Sequence, residues 1–271
     1  MNYVAIDIGG SKTDIGLYSS KDQEEPDLLA NFETDKSYTQ GLANIKHALT
    51  QLLGTKKPKA VAVSCAGVIL DGELKLSPNL PDWSGHKIKT DLEHMIGQEI
   101  NIANDAVCAG LAEYAHHKEK KTFMNIVWGT GIGGVFIDPR EGLHIFPTEP
   151  TQMVINKENY SKETDRGKAR YYLGGGMLAE HSGKDLATLE DTDPLWNQAA
   201  GDMAILIHNL RVTLMPEIIY FSGSVVTNRP FLLKQIENQL KQNFNFPFMP
   251  EIKLSQVQGN ASLKGALKLL K

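Results

Sequence analysis

The spacing of apolar residues predicts alternating strands and helices along most of the chain. Residues 3–8 and 13–18 are rich in β-favouring side chains, and the GGSK sequence between them predicts a hairpin. Residues 42–52 repeat apolar side chains at the helical period, and Gly54 predicts the end of that helix. The run KAVAVSCAG is continuously apolar, which is typical of a strand that is buried on both faces.

The alternation continues towards the C-terminus. The sequence EINIAND predicts a strand that leads into the helix AVCAGLAEYAHH, and FMNIVW and VFID predict a second hairpin around GTGIGG. Residues 147–170 are polar and irregular, which indicates a loop. The remaining elements are the long helix PLWNQAAGDMAILIHNLRVTLMP, the strand EIIYFSGS, the helix RPFLLKQIENQLKQN, the strand EIKLSQV and the helix ASLKGALKLLK. This order predicts an α/β fold in which helices cover a mixed or parallel sheet.

Composition narrows the class of protein. A chain of 271 residues forms one large or two modest domains, and its formal net charge of -4 gives no general attraction to nucleic acid or anionic membranes. Cys65 and Cys108 stand apart in apolar surroundings, which favours buried thiols in a reducing compartment over a disulfide. The start of the chain lacks a signal-peptide pattern, and no apolar run reaches membrane-spanning length. We therefore expect a cytoplasmic protein with neither a nucleic-acid nor a membrane partner.

Two glycine turns are candidate anion sites. The turn at Gly9-Gly10 and the turn around Gly129 are each followed by a strand, whereas Walker and dinucleotide loops lead into a helix. Both turns can still present backbone N–H groups to an anion, because glycine lets the chain approach a ligand closely. The two segments resemble each other, so each half of the chain could contribute one turn to a shared ligand; chance duplication of a common hairpin is the alternative.

Two aspartates follow or end predicted strands. Asp7 alternates with Ile6 and Ile8 and should face the opposite side, where it could hold hydrated Mg²⁺ or instead be satisfied by neighbouring N–H groups of a tight hairpin. Asp105 lies between a strand and a helix. It is either the N-cap of that helix or a base at the carboxyl end of the strand that accepts a proton from a substrate hydroxyl.

An ordered set of motifs resembles the ROK family, which contains bacterial glucokinases, fructokinases and N-acetylmannosamine kinases together with sugar-responsive repressors. The motifs are DIGGSK at 7–12, AG at 66–67, NLPDW at 79–83, ND at 104–105, GTGIGG at 129–134 and SGS at 222–224. The resemblance implies an actin-like, hexokinase-type (ribonuclease H-like) α/β fold of two lobes around a central cleft. It places residues 1–112 and 259–271 in a smaller N-terminal lobe and residues 113–258 in a larger C-terminal lobe.

The resemblance also implies roles for individual residues. Asp105 matches the catalytic base, and Asp7 matches the residue near Mg²⁺, which it would hold directly or through water. The implied sugar-binding positions are Gly67, Asn79, Asn104, Asp105, Glu149, Gln152 and Glu180. The implied nucleotide-binding positions are Asp7, Gly9, Gly10, Ser11, Lys12, Gly129, Thr130, Gly131, Gly133, Gly134 and Gly223. ATP and Mg²⁺ are the implied cofactors, a sugar and a nucleotide the implied ligands, and a homodimer the implied assembly.

One part of the chain departs from the family pattern. Family kinases usually carry G-E-x-G-H followed by C-x-C-G-x-x-G-C, and the histidine and three cysteines bind a structural zinc. Here Gln152 replaces that histidine, no cysteine follows Cys108, and YLGGGMLAEHSG occupies the place of the cluster. Since zinc requires thiolate and imidazole ligands, we expect no structural zinc. Polyphosphate-using relatives also lack the cluster, so the phosphoryl donor stays open between ATP and polyphosphate.

The resulting expectation is an ATP-dependent carbohydrate kinase that phosphorylates a hexose hydroxyl and resembles glucokinase. The alternatives are a kinase for N-acetylmannosamine or another amino sugar, and an inactive sugar-sensing protein. The chain starts directly at the first hairpin strand, so the helix-turn-helix extension of family repressors is not expected. The sequence does not identify the sugar, because epimers differ in one hydroxyl and discrimination depends on hydrogen-bond geometry.

Overall fold

The computed structural model describes residues 2–270, which divide into two compact units. Of the described residues, the first unit comprises 2–117 and 257–270, and the second comprises Lys118–Gln256. The first contains β1 (Tyr3–Ile8), β2 (Lys12–Tyr18), β3 (Leu28–Glu33), α1 (Tyr38–Leu53), β4 (Ala60–Cys65), β5 (Val68–Leu70), β6 (Glu73–Leu76), α2 (Ile88–Ile96), β7 (Ile100–Asn104), α3 (Asp105–His116) and α9 (Ala261–Leu267). The second contains β8 (Phe123–Trp128), β9 (Ile132–Asp138), β10 (His144–Thr148), α4 (Ala169–Leu173), α5 (Gly175–Ser182), α6 (Pro194–Leu214), β11 (Ile218–Ser222), α7 (Ser224–Asn228), α8 (Phe231–Asn243) and β12 (Glu251–Leu254).

The sheet of the first unit has the order β3-β2-β1-β4-β7. Strand β2 is antiparallel to both β1 and β3, whereas β4 pairs in parallel with β1 and β7 pairs in parallel with β4. Alternation along β1 sends Val4, Ile6 and Ile8 into one core, which also contains Ile45 of α1. Ala5 joins a second core with residues of α3 and α9. The two faces of one strand therefore belong to two different cores.

The sheet of the second unit repeats this plan with the order β10-β9-β8-β11-β12. It again has an antiparallel three-stranded part, to which β11 and β12 add in parallel. Its main core packs Trp128 and Phe221 of the sheet against Trp196 of α6 and Ile236 of α8. The similarity of the two glycine hairpins in the sequence thus extends to the topology of the whole sheet in each unit.

Most predicted elements are confirmed, including both hairpins, the helix ended by Gly54 and the long helix α6. The edge strands β3 and β10, the small β5-β6 hairpin and the short helices α4, α5 and α7 were not predicted. Strand β10 and helix α4 extend into the two ends of residues 147–170, which were predicted as a loop. In β3 the apolar Leu28 and Leu29 are exposed and only Ala30 and Phe32 pack on the core, so its sequence gives a weak strand pattern. Among residues 2–270, no helix is long and apolar enough to cross a membrane.

One strand boundary differs from the prediction in a way that affects a candidate site. Strand β9 begins at Ile132, three residues before the predicted VFID run. Gly133 and Gly134 therefore belong to the ladder, where they pair with Val127 and Ile126 of β8. The turn itself consists of Gly129, Thr130 and Gly131 alone.

Candidate active site

A row of polar side chains crosses the sheet of the first unit. The strand registers place Asn31 opposite Asp14, Asp14 opposite Asp7, and Asp7 opposite Ser64. The Ser64 hydroxyl donates to Asp7 Oδ1 over 2.6 Å, and the Asn31 amide donates to Asp14 Oδ1. We call Asn31, Asp14, Asp7 and Ser64 the polar row. Its existence follows from register, because residues at matching positions of neighbouring strands share one face.

Asn260 joins the polar row to the last helix. Its side-chain Oδ1 accepts from the N–H of Leu263 at 2.9 Å and caps α9, while its Nδ2 donates to Asp7 Oδ2 at 3.0 Å and to Asp14 Oδ2 at 2.6 Å. One amide group therefore separates two carboxylates that lie opposite each other. Sequence analysis missed Asp14 and Asn260. The alternation of side chains along β2 could have placed Asp14 on the same face as Asp7. Nothing in the local sequence links Asp14 to Asn260, which lies 246 positions away.

The surroundings of Asp7 shift its pKa in opposing directions. Burial raises the pKa of Asp7 above its ordinary value, the hydrogen bonds from Ser64 and Asn260 lower it, and the charge of Asp14 raises it again. The structure thus corrects one alternative drawn from the sequence, because both oxygens of Asp7 accept from side chains rather than from backbone N–H groups of a tight hairpin.

The first glycine turn lies against the loop that contains Asn79. The Gly9 N–H donates to the Lys12 carbonyl at 2.9 Å and closes the turn, in which Ser11 is exposed. A Cβ on Gly10 would lie 2.6 Å from Cβ of Asn79, so only glycine fits there. The turn proposed for phosphate and the asparagine proposed for the sugar are therefore in direct contact.

Asn104 and Asp105 occupy the junction between β7 and α3. The N-cap of α3 is Asn104, whose Oδ1 accepts from the N–H groups of Ala106 at 2.8 Å and Val107 at 3.3 Å. Asp105 is the first residue of the helix, so the N-cap alternative raised for it from the sequence is wrong. Nδ2 of Asn104 donates to the Gly67 carbonyl at 2.7 Å, which brings two of the proposed sugar positions together.

The second glycine turn is fixed by a segment that follows it much later in the chain. The N–H of Gly175 donates to the Gly129 carbonyl at 2.9 Å, and that of Gly176 donates to the Thr130 carbonyl at 3.1 Å. A Cβ on Gly175 would lie 2.7 Å from the Gly129 carbonyl oxygen, so a side chain there would displace the turn. Sequence analysis treated the GGG run at 174–176 only as the replacement of a cysteine cluster and missed this contact.

Two further glycines near this turn have different explanations. Gly223 has φ +95°, and a Cβ there would lie 2.5 Å from the Trp128 carbonyl oxygen, so both conformation and space require glycine beside the turn. A Cβ on Gly134 would lie 2.7 Å from Pro150 and 2.8 Å from Thr148. Close packing against these two residues is sufficient to explain glycine at 134.

The remaining predicted positions of the second unit lie after β10. Glu149 precedes a short 3₁₀ helix, Pro150–Gln152, at whose end Gln152 is exposed. Glu149 is exposed as a residue, but desolvation of its carboxyl group raises its pKa, and a hydrogen bond from Thr151 partly offsets this. Glu180 lies on α5 with its side chain exposed, whereas Leu178, two residues earlier, is buried.

The sequence of the chain matches a known protein family. The ROK family model matches residues 3–142, which is more than half of the chain. The chain belongs to the ROK family. The N-acetyl-D-glucosamine kinase of Erwinia tasmaniensis is 30% identical over 141 residues, which cover 50% of this chain and 46% of that kinase. The aligned part thus spans about half the length of that kinase.

Solved structures of ROK proteins share the fold over the whole chain. The ROK hexokinase of Thermus thermophilus has a TM-score of 0.75 at 19% identity and is matched over 99% of this chain and 97% of its own. The ROK family glucokinase of Streptomyces griseus, solved with glucose and AMPPNP, has a TM-score of 0.78 at 20% identity and is matched over 99% of both chains. The hexokinase-type mixed α/β fold expected from the sequence is therefore confirmed.

The donor atoms near Asp7 fit magnesium better than zinc. Asp7 and Asp14 offer carboxylate oxygens on one face of the sheet, and Mg²⁺ prefers one or two carboxylates together with retained water. Each Asp7 oxygen already accepts one hydrogen bond, which suits a contact through water. Within residues 2–270, no group of three or more His, Cys, Asp or Glu side chains is placed to hold a metal ion, and Cys65 and Cys108 are buried free thiols.

Proposed function

We propose that this ROK protein is an ATP-dependent kinase that phosphorylates a hydroxyl of a glucose-type hexose. The observation that carries the proposal is the position of Asp105, the first residue of α3 at the carboxyl end of β7, next to the Asn104–Gly67 hydrogen bond. Ligands of α/β sheets bind at the carboxyl ends of strands, so a carboxylate there can meet a substrate hydroxyl. The similarity of the chain to an N-acetyl-D-glucosamine kinase and to a ROK family glucokinase solved with glucose and AMPPNP supports the assignment.

In the proposed reaction, the sugar hydroxyl oxygen attacks the γ-phosphorus of ATP as the bond from that phosphorus to ADP breaks. Asp105 accepts the hydroxyl proton. Gly67, Asn79, Asn104, Glu149, Gln152 and Glu180 are proposed to orient the sugar. The turns at 9–12 and 129–131, together with Gly133, Gly134 and Gly223, are proposed to hold the nucleotide.

Asp7 is proposed to hold Mg²⁺ through water, with Asp14 beside it. When bound, Mg²⁺ would neutralise charge on the phosphate oxygens. The chain's own contribution is the placement of Asp7, because Ser64 and Asn260 fix both of its oxygens before any ligand arrives. A carboxylate that is already oriented loses little freedom on binding.

An amino-sugar kinase is the second candidate, and the similarity to an N-acetyl-D-glucosamine kinase is the observation that favours it. The two candidates differ in the group at C2 of the sugar. A site that binds a hydroxyl and one that binds an acetamido group discriminate through the polar groups left unpaired by the wrong substrate.

A coupled ADP-release assay separates these possibilities. The purified chain is given MgATP with glucose, mannose, N-acetylglucosamine or N-acetylmannosamine, and polyphosphate replaces ATP in a parallel series that measures phosphorylated sugar directly. Highest kcat/KM with glucose supports the first proposal, and highest kcat/KM with an N-acetylhexosamine supports the second. Sugar binding in calorimetry without turnover on any donor would overturn both and indicate a sugar sensor.

A further inference from the structure

We propose that Lys36 is a positioning residue of this kinase, which ties the Gly9-Gly10 turn to the Asn79 loop. Its ammonium donates to the Gly10 carbonyl at 2.6 Å and to the Asn79 carbonyl at 3.2 Å. The proposal rests on the kinase function, because Gly10 is assigned there to phosphate and Asn79 to the sugar. One side chain thus spans the two elements that must hold the reacting groups at a fixed separation.

The backbone on both sides of Lys36 is held by hydrogen bonds, which restricts where its ammonium can lie. The indole N–H of Trp83 donates to the Asp35 carbonyl at 3.0 Å, and the Tyr38 N–H donates to Asp82 Oδ2 at 2.9 Å. Trp83 and Asp82 belong to the 3₁₀ helix that begins two residues after Asn79. The loop of Lys36 and the loop of Asn79 therefore form one hydrogen-bonded body.

The same loop is also attached to the glycine turn. The Thr34 N–H donates to the Ser11 carbonyl at 3.0 Å, and the Thr34 hydroxyl lies 2.9 Å from that of Thr13 in a buried contact. These bonds hold the base of the turn, whereas Lys36 reaches its tip at Gly10. Loss of the ammonium would leave the base of the turn in place and release only the connection between its tip and Asn79.

The Lys36 ammonium is not neutralised by an ion pair with any described residue. Among the described residues, no carboxylate lies within ion-pair distance of its ammonium, and the residue is exposed. A lysine has three donors, and two are engaged by carbonyl groups. An unneutralised cation at a turn proposed to hold phosphate favours the anion there, in addition to setting the position of Asn79.

Kinetics of three variants test the proposal. Lys36→Met removes the donors and the charge, Lys36→Arg keeps both, and Lys57→Met is the matched control for loss of an exposed lysine. Since small misplacements of reacting groups are costly, we expect Lys36→Met to lower kcat by about 10- to 100-fold, with Lys36→Arg recovering most of it and Lys57→Met unchanged. A kcat for Lys36→Met within about twofold of the parent, or no recovery with arginine, would overturn the proposal.

Hydrogen exchange gives a readout that does not depend on turnover. In Lys36→Met, amides of residues 9–12 and 77–80 should exchange faster than in the parent, while those of β4 and α1 should not change. If the parent phosphorylates no sugar, the kinase proposal fails and this measurement alone decides the role of Lys36. Unchanged exchange in both segments would overturn it, and faster exchange confined to them would support it.

Discussion

The Nδ2 amide of Asn260 lies 3.0 Å from Asp7 Oδ2, a contact between residues 253 positions apart. It connects the start of the last helix to the first strand at the point where that strand approaches the glycine turn. The same amide donates to Asp14, so a single neutral donor stands between two opposed carboxylates. The C-terminal segment thus supplies the donor that connects Asp7 and Asp14 of the polar row.

Asn260→Asp tests this bridge. Aspartate caps a helix as well as asparagine does, so the bond from the Leu263 N–H is retained, but the shared donor becomes a third carboxylate beside Asp7 and Asp14. We expect the free energy of unfolding at neutral pH to fall by at least about 2 kcal/mol, measured by urea denaturation. Asn197→Asp is the control, because Asn197 is exposed near the start of α6 and its Oδ1 only accepts a hydrogen bond; it should change this free energy by less than about 0.5 kcal/mol. Equal stability of the two variants would contradict the bridge.

Asp105→Asn tests the proposed base. The amide cannot accept the hydroxyl proton, and general base assistance is typically worth about 10²- to 10⁴-fold, so we expect kcat to fall by that factor. Helix capping should persist, because Asn104 and not Asp105 is the N-cap. Turnover is followed by ADP release and sugar affinity by calorimetry, which should change little. Parental kcat in this variant would exclude Asp105 as the base.

Helix α9 packs closely on α3 through Gly265. A Cβ at this position would overlap the backbone of Cys108, so there is no rotamer that relieves the clash. We expect Gly265→Ala to destabilise the protein by about 3 kcal/mol or to prevent folding.

The matched control is Gly201 of α6, where a Cβ meets no atom within 4 Å. Gly201→Ala should raise the free energy of unfolding by about 0.5 to 1 kcal/mol, because alanine is the better helix former. Similar effects of the two substitutions would contradict this account.

Local patterns were sufficient for much of the fold. The glycine hairpins, the helix ended by Gly54 and the strand-to-helix junction at Asp105 all follow from periodicity and turn chemistry within about ten residues. What local patterns could not predict are contacts set by the assembled sheet. In the edge strand β3 only Ala30 and Phe32 pack on the core, which is too short a pattern to predict a strand, yet the strand contributes Asn31 to the polar row.

The candidate site shows the same division. The motifs made Asp7, Asn79 and Asp105 candidates, but the side chains that contact Asp7 and the Asn79 carbonyl were missed. Asn260 and Lys36 act through contacts with residues 253 and 43 positions away. The spacing of residues in the sequence does not predict such contacts, because the donor of a hydrogen bond to a carboxylate or a carbonyl can come from any part of the chain. The contact of Gly175 with Gly129 was missed for the same reason.

Metal analysis tests the prediction about zinc. The thiolate and imidazole ligands of the family cluster are absent from the sequence, so we expect less than stoichiometric zinc in the purified protein. A strong chelator should abolish turnover only by removing Mg²⁺, and excess Mg²⁺ should restore it fully, without zinc. One zinc per chain, or activity that returns only with zinc, would contradict the prediction.

Asp202 of α6 should make stability depend on pH. Burial raises its pKa to about 6, so the folded protein holds this proton more tightly than the unfolded chain does. The stability that this tighter proton binding adds to the folded state is therefore fully present below the ordinary pKa of 3.8 and is lost as the pH rises through about 6. Asp202→Asn stays neutral throughout. We therefore compare the free energy of unfolding of Asp202→Asn with that of the parent. Allowing for partial solvent exposure, we expect the difference to shift in favour of the variant by about 1 kcal/mol between pH of about 4.5 and about 7.5.

Urea unfolding at the two pH values measures this difference, and Asp138→Asn provides the control. The guanidinium of Arg140 lowers the pKa of Asp138 to about 2, so its contribution is present above 3.8 and is lost only as the pH falls towards 2. The effect of Asp138→Asn should therefore be the same at both pH values. Because the two aspartates shift in opposite directions, a general effect of net charge on stability would move both variants together. Parallel behaviour of the two variants would show that burial of Asp202 is not the cause.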